Sequence, residues 1–324
     1  MKHISILVPE GDSSLSNLEA TFKMFNMTND ALKKAGKAPL FSTHLVGTHN
    51  KARLSNGMFS IIPDTTIDEV DKTDLIIIPA IHGDYKEVVA KNGAFIPWIK
   101  QQYGNGAEVA SLCIGAFILA GTGLLDGRDC ATHWLAASEF RAMYPEVNLI
   151  DDKIITDSNG LYTSGGAYSS LNLNLYLVEK FAGREMAVLS SKIFEIDISR
   201  ASQSPFIIFK GQKSHNDKEV LKAQEFIENN YLDKITVDEL SEKVAVSRRT
   251  FERRFKKATS NTVIEYLQRV KVEAAKKELE KGRKTVNEVM YDVGYNDPKA
   301  FRDVFKKHTR VTPLEYLNKY SRVK

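Results

Sequence analysis

The chain has 324 residues, 43% of them apolar and 27% charged, with 45 Lys and Arg against 41 Asp and Glu. That is room for two domains, each with an ordinary core, and it excludes a disordered chain. Two cysteines in no metal-ligand spacing exclude a disulfide scaffold and a zinc site, and no run approaches the ~18 apolar residues of a membrane span.

The opening MKHISILVPEGDSS is too short an apolar run for a signal peptide, so a cytoplasmic protein with no membrane partner is expected. Charge divides the chain. Residues 218–324 hold 25 Lys and Arg against 17 Asp and Glu, whereas residues 1–217 hold 20 against 24. A cationic tail on a weakly anionic body points to a polyanionic partner for the tail, bound with counterion release and therefore salt-dependently.

Ile4 to Val8 reads as a buried strand, Leu18 to Ala35 as a helix, and Leu40 to Val46 as a strand. Asp74 to Pro79 is a further strand that stops at its proline. Helices over Tyr85–Lys91 and Phe95–Tyr103 lead to a strand from Glu108 to Leu112, then Cys113, then a helix from Gly115 to Gly121. Strands alternating with helices predict a doubly wound, mainly parallel sheet with helices on both faces and ligands at the carboxyl ends of its strands.

Cys113 falls at the sharpest point of that geometry. A strand running through Ser-Leu-Cys-Ile-Gly-Ala-Phe into a helix has the shape of a nucleophile elbow, whose helix N–H groups favour a thiolate. His133, in Ala-Thr-His-Trp, is a candidate neighbour, and His82-Gly83 follows the proline-terminated strand as a candidate ligand loop or an ordinary exposed one. Gly165-Gly166 reads equally as a backbone approach to a pocket or as a tight turn. Trp98, Trp134 and Cys130 read as core. A catalytic thiol, a ligand-binding or redox-sensing pocket and an inert structural cysteine all remain open for Cys113.

The segments ASLCIGAFILAGTGLLDGRDCATHW and ITDSNGLYTSGGAYSSLNLNLYLVEKFAG resemble the ThiJ/PfpI branch of the class I glutamine-amidotransferase-like fold, over residues 1–195. The resemblance implies a flavodoxin-like sheet. Hydrolases of the PfpI type place His directly after the Cys, and this chain has Ile114. Other members carry a carboxylate near the first strand, where this chain offers Asn17, with Glu10, Asp12 and Glu19 less well placed. The body is therefore expected to be a catalytically degenerate sensor, with Cys113, Ile114, Gly83, His133, Asn17 and Gly166 about its ligand and no cofactor or metal. The alternative is a cysteine-dependent hydrolase or amidotransferase with an accessory tail.

Residues 196–217 have linker chemistry, with Pro205, Gly211 and several Ser and Asn. Pro205 to Phe209 is too apolar to lie free and is expected to pack back on the body or at an interface.

Beyond the linker, residues 251–267 (FERRFKKATSNTVIEYL) return as 301–317 (FRDVFKKHTRVTPLEYL), identical at nine of seventeen positions. The four phenylalanines 251, 255, 301 and 305 fall four apart on one helical face and read as core. Between them the charged positions vary: Glu252, Arg253 and Arg254 in one copy, Arg302, Asp303 and Val304 in the other. Each copy follows a short helix and a turn, with Ser247 and Asp297 as N-caps and Pro298 at a first helical position. Val263 to Leu279 reads as one rigid connecting helix, and a separation of ~34 Å would set two reading helices in successive major-groove turns.

VSRRTFERRFKK, YLQRVKVEAAKKEL and VGYNDPKAFRDVFKKHTRVTPLEYL closely resemble the AraC/XylS-type DNA-binding domain, over residues 218–317. The resemblance implies an all-α domain with two helix-turn-helix motifs, in which Arg249, Glu252 and Arg253 read bases in the first copy and Lys299, Ala300, Arg302 and Asp303 in the second. Arg248, Lys256 and Lys306 complete the DNA-facing set. The family's glycines at the ends of these helices are Ser260 and Arg310 here, and Asp303 stands where the family often has Arg, which weakens the second helix on phosphate. Joined to the body, the whole resembles GlxA-type transcriptional regulators. That implies a homodimer on double-stranded DNA and a small effector, of a class often nitrogen-containing, which alters the placement of the two bodies. A third reading is a DNA-associated protein reporting oxidation through Cys113.

Overall fold

In the computed structural model, which describes residues 1–54, 57–213 and 215–321, the apolar runs of the first half pair into one seven-stranded sheet. Its strands are β1 (Lys2–Val8), β2 (Phe41–Gly47), β3 (Thr65–Thr66), β4 (Leu75–Ile78), β5 (Glu108–Ser111), β6 (Ile155–Ser158) and β7 (Leu161–Ser164). They lie in the order β6-β7-β5-β4-β1-β2-β3, and every pair is parallel except the β6–β7 edge hairpin. The chain winds outward from β1 to β3 and then returns to β4 on the other side. This reversal leaves a crevice at the carboxyl ends of β1 and β4, where open α/β sheets bind ligands.

Two-residue alternation along the strands divides their side chains between two cores. Leu7, Ile76, Ile78 and Val109 face α2 (Tyr85–Lys91), α3 (Phe95–Gly104), α4 (Ala116–Gly121) and α5 (Ala137–Met143). Ile4, Ile6, Leu75, Ile77 and Ala110 face α1 (Leu15–Lys34), α6 (Ser170–Ala182) and α7 (Arg184–Ile193). The expected doubly wound α/β fold is present.

The chain separates into two units, the first ending at Gln203 and the second opening at Ser204. Ile196 and Ile198 pack on the first unit's core. Among its described residues the second unit is helical, with no strand: α8 (Lys218–Asn229), α9 (Val237–Lys243), α10 (Arg248–Thr259), α11 (Val263–Lys281), α12 (Val286–Asp292), α13 (Pro298–Thr309) and α14 (Pro313–Tyr320). It has two cores. Phe251, Phe255, Val263 and Tyr266 join α8 and α9 in one, and Phe301, Phe305 and Tyr316 join α12 and the second half of α11 in the other.

The sequence repeat is also a structural repeat. Phe255 meets Tyr266 edge-on at 5.4 Å, and Phe305 meets Tyr316 edge-on at 5.6 Å. Each tyrosine hydroxyl donates to a carboxylate, Glu228 or Glu280, at 2.6 Å.

Two expectations are corrected here. The Pro205–Phe209 segment packs on its own helical unit: Ser204–Phe206 lies against α13, and the Phe209 ring meets Tyr266 edge-on at 5.1 Å. Buried charge explains this, because the Phe209 N–H donates to Glu273 at 3.0 Å and Lys276 donates to the Ile207 carbonyl at 2.5 Å. These are partners that a buried Glu273–Lys276 pair requires. Ser214, in the same stretch, lies outside the described residues. Ser247 does precede α10, but its hydroxyl bonds Thr250 Oγ1 and no backbone N–H.

α10 and α13 both end on a left-handed residue although neither has glycine there: Ser260 has φ 57° and Arg310 φ 63°. A side chain in that region is strained by roughly 1 kcal/mol, which the packed phenylalanines of each copy hold in place. Ser260→Gly is therefore expected to stabilise the helical unit by about 0.5–1 kcal/mol, and Gly282→Ala, at a third left-handed cap with φ 65°, to destabilise it. Both tryptophans lie in the first unit, so denaturant-induced loss of helical ellipticity without a shift in tryptophan emission follows the second.

Candidate nucleic-acid interface and ligand site

At the carboxyl end of β5 the chain turns on Cys113, a non-glycine residue with φ 56°. Gly115 makes the turn possible, since a Cβ there would lie 2.6 Å from the carbonyl oxygens of Ile78 and Pro79 at the end of β4. The Cys113 N–H donates to Ser164 Oγ at 3.2 Å, and its carbonyl accepts from Thr132 Oγ1 at 3.0 Å. Three segments thus fix one residue, and the expected elbow is formed.

Its surroundings do not favour a thiolate. Cys113 is only 3% exposed, and burial pushes its thiol up to about 11 even though the Ala167 and Ile114 N–H groups point at the sulfur. A 3-10 turn over Cys113–Gly115 and six residues of α4 give too little helix to offset desolvation. Cys130 is buried and raised in the same way, to about 12.

The Ile114 and Ala167 N–H groups face the sulfur, and Gly166, the residue before Ala167, packs against His133. His133 caps the 3-10 turn Trp134–Ala136, its Nδ1 accepting the Leu135 N–H at 3.1 Å. Burial first, and the facing His82 second, hold its pKa below the usual histidine range, so the ring is neutral at pH 7. Its seat is Gly166, where a Cβ would come within 2.0 Å of His133 Cδ2. Gly83, at φ 119°, turns the chain after His82, whose strand Ile81–His82 pairs with Asp12–Ser13.

Asn17 is buried, and its amide is spent on structure: Oδ1 accepts the Ala80 N–H and Nδ2 donates to Ser170 Oγ, each at 3.1 Å. It ties the segments bearing His82 and Ala167 to α1. The Ile114 side chain lies in the first core and only its N–H faces the sulfur.

Sequence reasoning missed three residues here. Tyr85 is electrostatically coupled to Cys113 and Glu139 and its phenol is raised, mainly by burial. Ala167, with φ 42°, donates its N–H to the sulfur. Gln203 is the third. Only the Ser-Gly-Gly-Ala run signalled any of them. Among the described residues no group of three or more His, Cys, Asp or Glu is arranged to hold a metal, and no helix is long and apolar enough to cross a membrane.

In the helical unit, residues 251–260 and 301–310 show the same succession of buried phenylalanine and exposed pairs. Arg248, Arg249, Glu252, Arg253 and Lys256 are all exposed along α10 and just before its first phenylalanine. Lys299, Ala300, Arg302, Asp303 and Lys306 are exposed along α13. Asp297 caps α13 through the Lys299 and Ala300 N–H groups at 3.1 Å. Arg248 is engaged, reaching both oxygens of Asp238 on α9 at 2.9 and 3.2 Å, with Glu252 3.7 Å away. Arg249, Arg253, Lys256, Lys299, Arg302 and Lys306 hold no ion pair among the described residues.

Arg254 departs from its reading as an exposed variable charge. It is half-buried and forks to Asp217 at 2.6 and 2.8 Å and to Glu219 at 2.9 Å, which holds the Asp217 carboxyl below its usual range. It thus clamps the start of α8 to α10, whereas its counterpart Val304 packs into the second core. A guanidinium and an apolar group answer the same need at one repeat position.

Comparison with known proteins matches residues 23–180 to the DJ-1/PfpI family and residues 240–319 to a helix-turn-helix domain. The HTH-type transcriptional regulator GbdR of Pseudomonas aeruginosa is 24% identical over 277 residues, 85% of this chain and 74% of that one. An HTH-type transcriptional regulator encoded in the cgkA 5' region of Pseudoalteromonas carrageenovora is 37% identical over 131 residues, 40% of this chain and 75% of its own. An isonitrile hydratase of Pseudomonas putida is 25% identical over 170 residues, 52% of this chain and 70% of that enzyme. With the exposed, doubled recognition helices already described, these matches mean that the chain belongs to the AraC-type helix-turn-helix transcriptional regulators that carry a DJ-1/PfpI domain.

Proposed function

We propose that this DNA-binding regulator is effector-responsive: the body, residues 1–195 of the first unit, senses a small metabolite, and α10 and α13 of the second unit read base edges in successive major-groove turns. The observation that carries the DNA contact is the repeated burial pattern, which presents from two helices of one unit six cations that hold no ion pair among the described residues. Arg249 and Arg253 bond guanine bidentately, Glu252 accepts from cytosine, and Lys256 and Lys306 meet phosphate. The ligand lies against Cys113, Ile114, Gly83, His133, Asn17 and Gly166. A neutral imidazole, a neutral thiol and a phenol there suit hydrogen bonding to a small polar molecule.

The chain acts as a cytoplasmic homodimer joined through the first unit. Exposed Phe22 on α1 and exposed Leu189 and Ile193 on α7, two helices that pack together, support that surface. Ile193→Glu is expected to lower the sedimentation coefficient from dimer to monomer and to weaken operator binding without loss of helicity.

Binding to genomic fragments at two salt concentrations tests the DNA reading. The wild type retains a few fragments salt-sensitively. Arg253→Ala loses roughly 5- to 150-fold on those fragments, the ~1–3 kcal/mol of a base-reading arginine. Lys256→Ala weakens all sequences alike and lowers the salt slope by about 1, and Asp303→Asn tightens binding. Weak retention of every fragment, indifferent to Arg253→Ala, would reduce the tail to a generic anchor.

The body is proposed to be non-catalytic. Ile114 replaces the base expected after Cys113, His133 Nδ1 is occupied by Leu135, and the thiol is raised to about 11. Alkylation of Cys113 by iodoacetamide at pH 7.5 is expected to be at least ~10-fold slower in the native chain than in the unfolded one, and to accelerate about tenfold per pH unit until the thiol ionises. Rapid alkylation at neutral pH, with isonitrile or amide turnover abolished by Cys113→Ser, would instead establish the cysteine-enzyme alternative.

A further inference from the structure

Gln203 is the last residue of the first unit and is 2% exposed. The Gly166 N–H donates to its Oε1 at 3.2 Å, and its Nε2 donates toward the carbonyls of Thr132 and Asp151 at 2.9 Å and Lys153 at 3.2 Å. Its own N–H donates to the Asp152 carbonyl at 2.9 Å. Two amide protons thus serve three carbonyls, one of them on the residue before His133.

The packing around it is as specific as the bonding. A Cβ on Gly165 would come within 2.9 Å of Gln203 Cδ, and one on Gly166 within 2.0 Å of His133 Cδ2. Of two consecutive glycines, the first seats the boundary residue and the second seats the site's imidazole. The next residue, Ala167, points its N–H at the Cys113 sulfur. Every group that touches the candidate ligand space on this side is therefore one or two residues from a partner of Gln203, and Ser204 opens the DNA-binding unit.

We propose that Gln203 is the positioning residue through which occupancy of the Cys113–His133 site biases the chain entering the DNA-binding unit, an inference that rests on the effector-responsive reading above. A ligand that displaces His133 or engages the Ala167 N–H must move Gly166. A buried amide with four partners follows such a shift as a whole or releases them, since a stretched, half-satisfied set in the interior is the least favourable state. The coupling is reciprocal: DNA held by the second unit must bias the Gly165–Ala167 loop by the same factor.

Reciprocity makes the test possible without the effector. Amide hydrogen exchange is followed in the full chain, free and saturated with the genomic fragment that it retains most tightly, with saturation monitored by anisotropy. The wild type is expected to change its exchange at residues 132–136 and 164–168 by about tenfold on binding DNA. Gln203→Leu is expected to bind the same fragment and lose that change. Gln203→Glu, which keeps the volume and the acceptor for Gly166 but not the donor, serves where the leucine variant does not fold. A merely structural Gln203 predicts faster exchange in both variants, with no dependence on DNA in any form of the protein. Saturation that leaves the wild-type loops unchanged, or changes them equally in the variants, overturns the proposal and leaves the DNA reading standing. Failure to retain any fragment sinks both.

Discussion

One helix belongs to two cores. The first turns of α11 give Val263 and Tyr266 to the core of the first helix-turn-helix copy, and Val272, Ala275 and Leu279 to that of the second. Nineteen residues at 1.5 Å each make it a rod of about 28 Å. Both recognition helices pack by their phenylalanines on the cores that this rod supplies, so their mutual orientation follows from it. A Glu273–Lys276 pair buried near the junction of the two cores demands polar partners, and the backbone of residues 207–209 supplies them. The chain entering the unit is thereby fastened to α11 beside the place where both cores meet it.

The first unit obeys a different balance. Its strand-to-helix elbow is complete: the left-handed Cys113, the glycine that lets two strand ends touch, and the N–H groups facing the sulfur are all present. In a more open site the same parts would make a thiolate. Here desolvation outweighs them, because Cys113 and Ile114 are sealed into the core and the helix behind them is short. The fold keeps the elbow's shape while burial disfavours the thiolate.

What the sequence revealed and what it hid follow from the range of the interactions. The doubled motif, the phenylalanine face, the elbow and the alternating strands are local or periodic, and all were legible. The β6–β7 hairpin carries its own signal in Asn159-Gly160, both at positive φ, although its two strands are only four residues each. Arg254 looked like a surface charge, since nothing nearby announces Asp217, 37 residues earlier. Pro205 to Phe209 is apolar enough to seek a partner, yet its partner is its own helical unit and not the body, because a buried ion pair on α11 cannot be foreseen from helical spacing. Gln203 was hidden most deeply: its four side-chain partners lie 37 to 71 residues away, in loops whose meeting only the folded sheet creates.

The two copies have diverged in ways that divide labour between them. In the first, Arg254 anchors α10 to α8 and Arg248 anchors it to α9, while Arg249, Arg253 and Lys256 are left to solvent. In the second, Val304 replaces the ionic anchor by apolar packing, Asp303 interrupts the cationic face, and Lys307 lies 3.8 Å from Glu265 at the start of α11. An ionic anchor holds α10 without using its outward arginines, so Arg249 and Arg253 stay exposed. With Asp303 beside Arg302 and Lys307 drawn toward Glu265, the second helix has less to offer phosphate. On the proposed reading its contribution comes from being held in register by α11, where a modest contact at a fixed distance would discriminate between operators by their spacing as much as by their sequence.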